Sequence, residues 1–389
     1  MKYVDEFRDP QAAQRLVEEI RRLATRPWVL MEVCGGQTHG LLRYGIEESL
    51  GGAVELIHGP GCPVCVTPAE DIDQACVLAS RPGIILASFG DMLRVPGHNG
   101  SLLEARARGA DVRPVYSPVD AVRIAQAQPD REVVFFAVGF ETTTPATALA
   151  VLQAAEAGTD NFSLLDAHVR VLPAMEAVLA APENRVQGFL AAGHVCTVTG
   201  FEEYHELASR FGVPIVVTGF EPVDLLEGIR DCIRQLEAGT ATVTNHYARS
   251  VRPGGNTAAQ GIVNQVYEVA DVAWRGFGVI PAGGLRLRPK YQHYDARHRY
   301  QITASRTSGS DTHIDECPAA KVLAGRMKPP ECPQFGTACT PTTPLGAPMV
   351  SSEGACAAYF RYRPGTAEAH GTVGTEAGAQ PEDRTGVKH

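Results

Sequence analysis

Two apolar segments near the N-terminus each lead directly into a turn of glycine and cysteine, and this pattern strongly constrains the fold. Residues 28–33 precede Cys34 and a Gly-Gly pair, and residues 54–57 precede the sequence HGPGCPVC at 58–65. An apolar strand followed by a glycine-rich turn is typical of α/β proteins, which bind ligands at the carboxyl ends of their parallel strands. The two turns are therefore predicted to lie at one edge of a sheet.

This prediction brings Cys34, His39, Cys62 and Cys65 to the same edge. Three thiols and an imidazole are soft ligands for iron, copper or zinc, and they are also candidates for redox chemistry. The alternative is that Cys34 and Cys62 are small core residues, because free cysteine is often buried. If a helix follows Cys34, its N-terminus is expected to lower the pKa of the thiol below about 8.5.

Composition narrows the class of protein. The 389 residues suffice for two or three domains, and 44% of them are hydrophobic. A net charge of −9 argues against nucleic acid as a partner. No apolar run approaches the roughly 20 residues of a membrane span, and the acidic N-terminus has no signal-peptide core. A cytoplasmic location is expected, where ten cysteines indicate metal binding or catalysis rather than a disulfide framework.

Apolar strands alternate with helical segments as far as residue 250, which predicts an α/β fold with two Rossmann-like parallel-sheet domains. The sequence Gly-Phe-Glu follows a strand twice, so Glu141 and Glu221 either belong to a site or cap helices. Glycine-rich residues 274–284 are predicted to form loops. The predicted domains are residues 1–120, residues 121–250 and a C-terminal domain at 251–364, followed by a disordered tail at 365–389.

Four further cysteines lie in a segment rich in proline and glycine: Cys317, Cys332, Cys339 and Cys356. Zinc sites usually pair their ligands about two to four residues apart, and these spacings are wider, which favours a [4Fe–4S] cluster over zinc. The pair Cys62 and Cys65 is a different feature. It could cycle between dithiol and disulfide, or ligate a metal together with Cys34 and His39.

Together these motifs resemble the HypD family of [NiFe]-hydrogenase maturation factors. The resemblance covers residues 1 to about 362 and implies two α/β domains with a cleft between them, plus a small C-terminal iron–sulfur domain. The matching segments are residues 34–39, 59–65, 89–97, 139–143, 193–195, 219–222 and 351–356.

The resemblance also implies a function as an assembly scaffold. HypD proteins work with a small chaperone, HypC, to build an Fe(CN)2CO group, while HypE, with HypF upstream, delivers cyanide as a thiocyanate on its C-terminal cysteine. Carried over to this chain, Cys34 would hold the iron with the chaperone's N-terminal cysteine, and Cys62 and Cys65 would be a redox pair. The four later cysteines, 317, 332, 339 and 356, would bind the [4Fe–4S] cluster. Some family members have histidine in place of Gln37, so here His39 alone would serve in that turn.

Other residues are expected to line the cleft, where they would position cyanide or move protons: Glu141, His194, Asp91 and Arg94. Two other functions are compatible with parts of the sequence. The first is a stand-alone thiol–disulfide oxidoreductase that uses Cys62 and Cys65 beside a structural metal site, although a thioredoxin-type CxxC needs no other cysteines. The second is an iron–sulfur dehydratase, which would need a cluster with only three cysteine ligands.

Overall fold

The computed structural model describes residues 5–302 and 317–363. The tail predicted at 365–389 lies outside these residues. Within them, eleven strands are present: β1 (Trp28–Glu32), β2 (Val54–His58), β3 (Ile84–Ser88), β4 (Asp111–Pro114), β5 (Glu132–Gly139), β6 (Phe162–His168), β7 (Gly188–Ala192), β8 (Ile215–Thr218), β9 (Val243–Asn245), β10 (Tyr267–Trp274) and β11 (Gly278–Leu287).

The α-helices of the described residues lie between and around these strands. They are α1 (Pro10–Leu23), α2 (Gly35–Arg43), α3 (Ile46–Ser49), α4 (Pro63–Val66), α5 (Ala69–Ala79), α6 (Leu102–Ala107), α7 (Pro118–Ala127), α8 (Thr144–Ala157), α9 (Val171–Ala180), α10 (Gly193–Thr199), α11 (Tyr204–Phe211), α12 (Pro222–Glu237), α13 (Thr257–Val266), α14 (Ala296–Tyr300), α15 (Ala319–Leu323) and α16 (Ala355–Tyr362). None of the helices in this part of the chain is long and apolar enough to cross a lipid bilayer.

Local sequence signals explain several helix boundaries. Ser117 caps α7 by accepting a hydrogen bond from the Val119 amide, and Pro118 occupies the first helical position, where its missing N–H costs nothing. Asp120 completes a capping box with Ser117. Gly158 ends α8 in the left-handed conformation, which glycine adopts without strain. These ends are therefore encoded by a few neighbouring residues.

Two parallel sheets form the body of the protein. Sheet A contains β2, β1, β7, β8 and β9 in that order, and sheet B contains β4, β3, β5 and β6. Every neighbouring pair in both sheets is parallel. Strands β3, β7 and β8 are buried along their whole length, which explains why they are nearly continuous apolar runs in the sequence. The predicted α/β fold with parallel sheets is confirmed.

The predicted division of the chain at residue 120 does not correspond to the sheets. Sheet A joins β1 and β2 to β7, β8 and β9, and sheet B takes strands from both sides of residue 120. After β2 the chain builds the whole of sheet B, and it returns to sheet A at β7, which pairs directly with β1. Strand order depends on long-range pairing, so an alternation of helices and strands along the sequence does not reveal it.

The prediction that residues 274–284 form loops is wrong, because most of them belong to an antiparallel hairpin. Strands β10 and β11 pair from Tyr267 opposite Leu287 to Trp274 opposite Gly278, with a register shift between Ala270 and Val272. The Trp274 ring is buried and its Nε1 donates to the Gly283 carbonyl at 3.0 Å. The many glycines of this segment concealed the strands, since glycine is rare in strand interiors.

The C-terminal segment packs against the first Gly-Cys turn of the sequence. Phe335, Met349 and Tyr359 form an apolar cluster with Leu42 of α2. The C-terminal segment therefore packs along α2, the helix that begins immediately after Cys34.

Candidate functional site

The two cysteine turns are in direct contact at the carboxyl edge of sheet A, as predicted. Strands β1 and β2 pair in register, with Glu32 opposite His58. The Gly35 amide donates to the Gly61 carbonyl at 3.1 Å. A Cβ atom on Gly61 would lie only 2.2 Å from the Cys34 nitrogen, so glycine is required for this close approach.

Cys34 is the N-cap residue of α2 and is 9% exposed. Burial raises the pKa of its thiol to about 12, and the amides of Gly36 and Gln37 at the start of the helix oppose this only in part. The expected fall of this pKa below 8.5 is therefore wrong, because desolvation of the thiolate outweighs the helix N-terminus. A bound metal ion would reverse this balance, since a coordinating thiol is deprotonated.

Cys62 and Cys65 form a disulfide, with their Cα atoms 5.2 Å apart. Cys62 caps the short helix α4, and its sulfur accepts a hydrogen bond from the Cys65 amide at 3.3 Å. Both cysteines are buried. The pair thus has the geometry that interconversion of dithiol and disulfide requires, and it lies beside the backbone of Cys34.

Glu32 and His58 belong to this site although the sequence patterns did not single them out. The Glu32 carboxylate accepts hydrogen bonds from the Cys34 amide at 2.8 Å and from the Thr38 hydroxyl at 2.5 Å. His58 Nδ1 lies 2.7 Å from the same carboxylate. The signal that could have revealed them is a polar residue at the end of each apolar strand, just before the turn.

Two further residues of the first turn have structural partners. His39 Nε2 lies 3.1 Å from the Tyr362 hydroxyl on α16, and burial lowers the pKa of this imidazole. The Gln37 amide group donates to the Ala191 carbonyl at 3.0 Å and to Thr218 Oγ1 at 2.6 Å. Gln37 thus joins α2 to β7 and β8.

His194 reaches the same edge of sheet A. It follows β7, and its ring stacks on Phe220 with centroids 3.8 Å apart. The Phe220 ring in turn packs against Gly36, where an added Cβ would lie 3.0 Å away. Glu221, by contrast, caps α12 and pairs with Arg8 at 2.5 Å, so the helix-capping alternative holds for it.

Glu141 follows the carboxyl end of β5 in sheet B. It lines a cavity of about 240 Å³ together with Arg170 and Tyr204, and neither Cys34 nor His194 is among the described lining residues. Its Oε1 accepts a hydrogen bond from the Val171 amide at 2.9 Å, while Oε2 is buried without a partner. Burial raises the pKa of this carboxyl to about 7. The expectation that Glu141 and His194 line one cleft stays a prediction.

Asp91 and Arg94 contact the C-terminal segment. Arg94 donates to the Val350 carbonyl at 2.7 Å and lies 3.7 Å from Asp91. Glu353 packs on Gly35, where an added Cβ would lie 2.4 Å from the Glu353 Cβ. Burial, with a smaller effect from Asp91, raises the pKa of the Glu353 carboxyl. Residues 350–353 thus contact the segments that follow β1 and β3. Glu353 is a site residue that was not among the candidates from the sequence.

The four later cysteines line one cavity. The rest of its lining is mostly apolar and includes Val322, Phe335 and Met349, and the four thiols belong to Cys317, Cys332, Cys339 and Cys356. The Leu345 amide donates to Cys339 Sγ at 3.4 Å, and a Cβ on Gly346 would lie 2.2 Å from Cys317 Sγ. In the described part of the chain, no three Cys, His, Asp or Glu side chains are gathered around a position for a single metal ion.

These features define a class: an α/β protein with a buried thiol beside a CxxC pair and a module of four further cysteines. The model of the HypD family, described as the hydrogenase formation hypA family, matches residues 11–363. The chain therefore belongs to the HypD family, as its motifs indicated.

Similar proteins agree with this assignment. Hydrogenase maturation factor HypD of Rhodobacter capsulatus is 46% identical over 370 residues, which cover 93% of this chain and 98% of the relative. The protein of the same name from Azotobacter vinelandii is 48% identical, with 93% and 97% covered. That of Escherichia coli (strain K12) is 45% identical, with 95% and 100% covered.

Proposed function

We propose that this member of the HypD family is a hydrogenase maturation factor that holds an iron ion at Cys34 while the Fe(CN)2CO group is assembled on it. The observation that carries the proposal is the place of Cys34, a buried thiol in backbone contact with the Cys62–Cys65 turn. A soft thiolate suits low-spin iron. The glycines around Cys34 allow the second cysteine turn, Phe220 and Glu353 to approach its backbone closely.

We propose a HypC-type chaperone as the partner that shares this iron through its N-terminal cysteine, and HypE as the donor of cyanide. The support is the family resemblance and the edge of sheet A, where the end of β1 carries Cys34. His194 lies at the same edge and would position the incoming group.

Transfer of cyanide from a thiocyanate consumes two electrons. The S–CN bond breaks, cyanide binds iron, and the donor sulfur becomes a thiol when it takes up a proton. Cys62 and Cys65, as a dithiol, would supply both electrons when their S–S bond forms, and they would release two protons. One of these protons would go to the donor sulfur. The disulfide between them is the oxidised product of that step.

We further propose that the four-cysteine module, residues 317, 332, 339 and 356, binds a [4Fe–4S] cluster. The donor set fits, because four thiols surround one mostly apolar cavity and an amide hydrogen bond reaches the Cys339 sulfur. Each thiol of such a cluster binds a different iron, so the sulfurs need not gather around a single ion. When bound, the cluster would supply electrons one at a time to restore the dithiol.

The test is the Cys34→Ser variant, purified anaerobically from cells together with its chaperone partner. The variant should fold and keep the brown colour of the cluster, but the complex should show no CN or CO bands in its infrared spectrum. Cys232→Ser is the matched control, because Cys232 is also buried but lies in α12, in a different core cluster from Cys34. Intact bands in the Cys34→Ser complex would refute the proposal.

A stand-alone thiol–disulfide oxidoreductase is the second candidate, favoured by the Cys62–Cys65 disulfide itself. The exposed fractions of these residues are 3% and 0%, which hinders direct attack by a protein disulfide. Turnover of a generic disulfide substrate by the isolated protein would support this alternative.

A further inference from the structure

A hydrogen bond joins the last residues of β1 and β2 beneath the cysteine turns. Glu32 and His58 face each other in the parallel register of sheet A, and they are 0% and 3% exposed. Their side chains are 2.7 Å apart between Oε1 and Nδ1. A carboxylate buried this deeply is stable only when its oxygens are well satisfied, and Glu32 has three donors.

One of these donors is the backbone of the proposed iron ligand. The Cys34 amide donates to Glu32 Oε2 at 2.8 Å, and the Thr38 hydroxyl, one turn later in α2, donates to Oε1 at 2.5 Å. Glu32 therefore holds both the cysteine and the first turn of the helix that follows it. This contact is independent of the Cys34 thiol.

The other side of His58 faces the four-cysteine module. His58 Nε2 lies 3.4 Å from the Tyr359 hydroxyl, and the two rings meet edge to face with centroids 5.4 Å apart. Tyr359 donates to Glu47 Oε2 at 2.8 Å, and Glu47 pairs with Lys328 and, at 3.1 Å, with Arg363. Tyr359 lies on α16 about one turn after Cys356, so this contact reaches the module directly.

We propose that Glu32, His58 and Tyr359 form a buried polar chain that positions Cys34 and couples its turn to the four-cysteine module. When the module holds its metal, Cys356 anchors α16, and α16 holds Tyr359 against His58. His58 then keeps Glu32 on the Cys34 amide. Glu32 and His58 are thus positioning residues, and an empty module would loosen the turn that receives iron.

The coupling to the four-cysteine module rests on the proposed function, because it assumes that the module binds metal. The positioning of Cys34 by Glu32 and His58 does not depend on that assumption. The test is hydrogen–deuterium exchange of the peptide spanning residues 33–43 in the full-length protein. Tyr359→Phe removes the hydroxyl that donates to Glu47 and contacts His58 Nε2. Exchange of the peptide at residues 33–43 should then rise about three- to tenfold, which is the effect of losing a hydrogen bond of ordinary strength. Tyr300→Phe is the matched control, because Tyr300 also donates to a carboxylate, that of Glu132 at 2.9 Å, but lies in α14.

A conservative replacement separates positioning from general damage. The amide nitrogen of His58→Asn can replace Nδ1 as a donor to Glu32, whereas His58→Leu cannot donate. His58→Asn keeps the donor to Glu32 but loses the contact between Nε2 and Tyr359, so its exchange at residues 33–43 should match that of Tyr359→Phe. His58→Leu loses both contacts and should raise this exchange further. Thermal unfolding of each variant would show that the rest of the fold is retained. Wild-type exchange in both His58→Leu and Tyr359→Phe would overturn the proposal.

Removal of metal with a chelator tests the coupling. In the wild type, removal should raise exchange at residues 33–43, and in Tyr359→Phe it should add nothing further. An equal rise in both proteins would refute coupling through Tyr359. Iron content is measured in the same samples. A colourless wild-type protein would contradict the proposed cluster. The comparison of the His58 variants would still decide whether this chain positions Cys34.

Discussion

The contact between the two cysteine turns predicts that Gly61→Ala is strongly destabilising. The added methyl group would lie 2.2 Å from both the Cys34 nitrogen and the Val33 carbonyl carbon. Because these are backbone atoms that directly follow β1, a central strand of sheet A, they cannot rotate away as a side chain could. Overpacking of this kind costs about 1–3 kcal/mol, and the upper end applies here. Replacing glycine returns only about 0.4–1 kcal/mol by restricting the unfolded chain.

We therefore expect Gly61→Ala to lower the free energy of unfolding by about 2 kcal/mol and the Tm by about 2–3 °C, since a chain of 389 residues has a large entropy of unfolding. The assay is thermal unfolding followed by circular dichroism, together with the alkylation rate of Cys34, which should rise as the turns separate.

Gly261→Ala provides a control with the opposite sign. Gly261 lies within α13 with open space around its Cα, and alanine in a helix interior is favoured over glycine by about 0.8–1.0 kcal/mol. A Gly61→Ala protein as stable as the wild type, with Cys34 alkylated at the wild-type rate, would refute the close contact of the turns.

Three further predictions concern the thiols and Glu141. Cys339→Ala should lower the iron and sulfide content of anaerobically purified protein, whereas Cys76→Ala should not, because Cys76 lies outside the module. Cys62→Ala should keep the cluster colour but abolish hydrogenase maturation in cells, because one thiol alone cannot form the intramolecular disulfide. Burial raises the pKa of Glu141 from 4.5 to about 7, so the folded state retains a proton that the unfolded state releases. The protonated Glu141 carboxyl is compatible with burial at low pH, and this contribution to stability is lost as the pH rises to about 7. Glutamine carries no charge at any pH, so Glu141→Gln should raise the free energy of unfolding by about 1–3 kcal/mol at a pH of about 8.

Each of these predictions has an outcome that would contradict it. Full iron content in Cys339→Ala would exclude that thiol as a ligand, and normal maturation with Cys62→Ala would exclude the pair as the electron donor. An unchanged pH dependence of unfolding in Glu141→Gln, measured by denaturant titration, would show that this carboxyl titrates normally.

The sequence alone was sufficient to predict features that depend on near neighbours in the chain. An apolar run followed by glycine predicts a buried strand and its turn, and parallel neighbours end at the same edge. This pattern is enough to place Cys34 together with the pair Cys62 and Cys65. The four later cysteines can likewise be assigned to one module, since they lie within a short segment that has few other apolar residues to order it.

Tertiary structure alone decided which strands are neighbours and how deeply each group is buried. The pairing of β1 with β7 joins segments about 160 residues apart, and no local pattern encodes it. The packing around that pairing buries Cys34, so its thiol pKa rises although a helix begins there. Glu141 lines a cavity at the end of sheet B, where burial raises the pKa of its carboxyl. The Glu221 carboxylate, in the similar Gly-Phe-Glu turn of sheet A, pairs with Arg8 instead. Periodicity is a property of adjacent residues, whereas desolvation and register depend on groups that only the folded chain brings together.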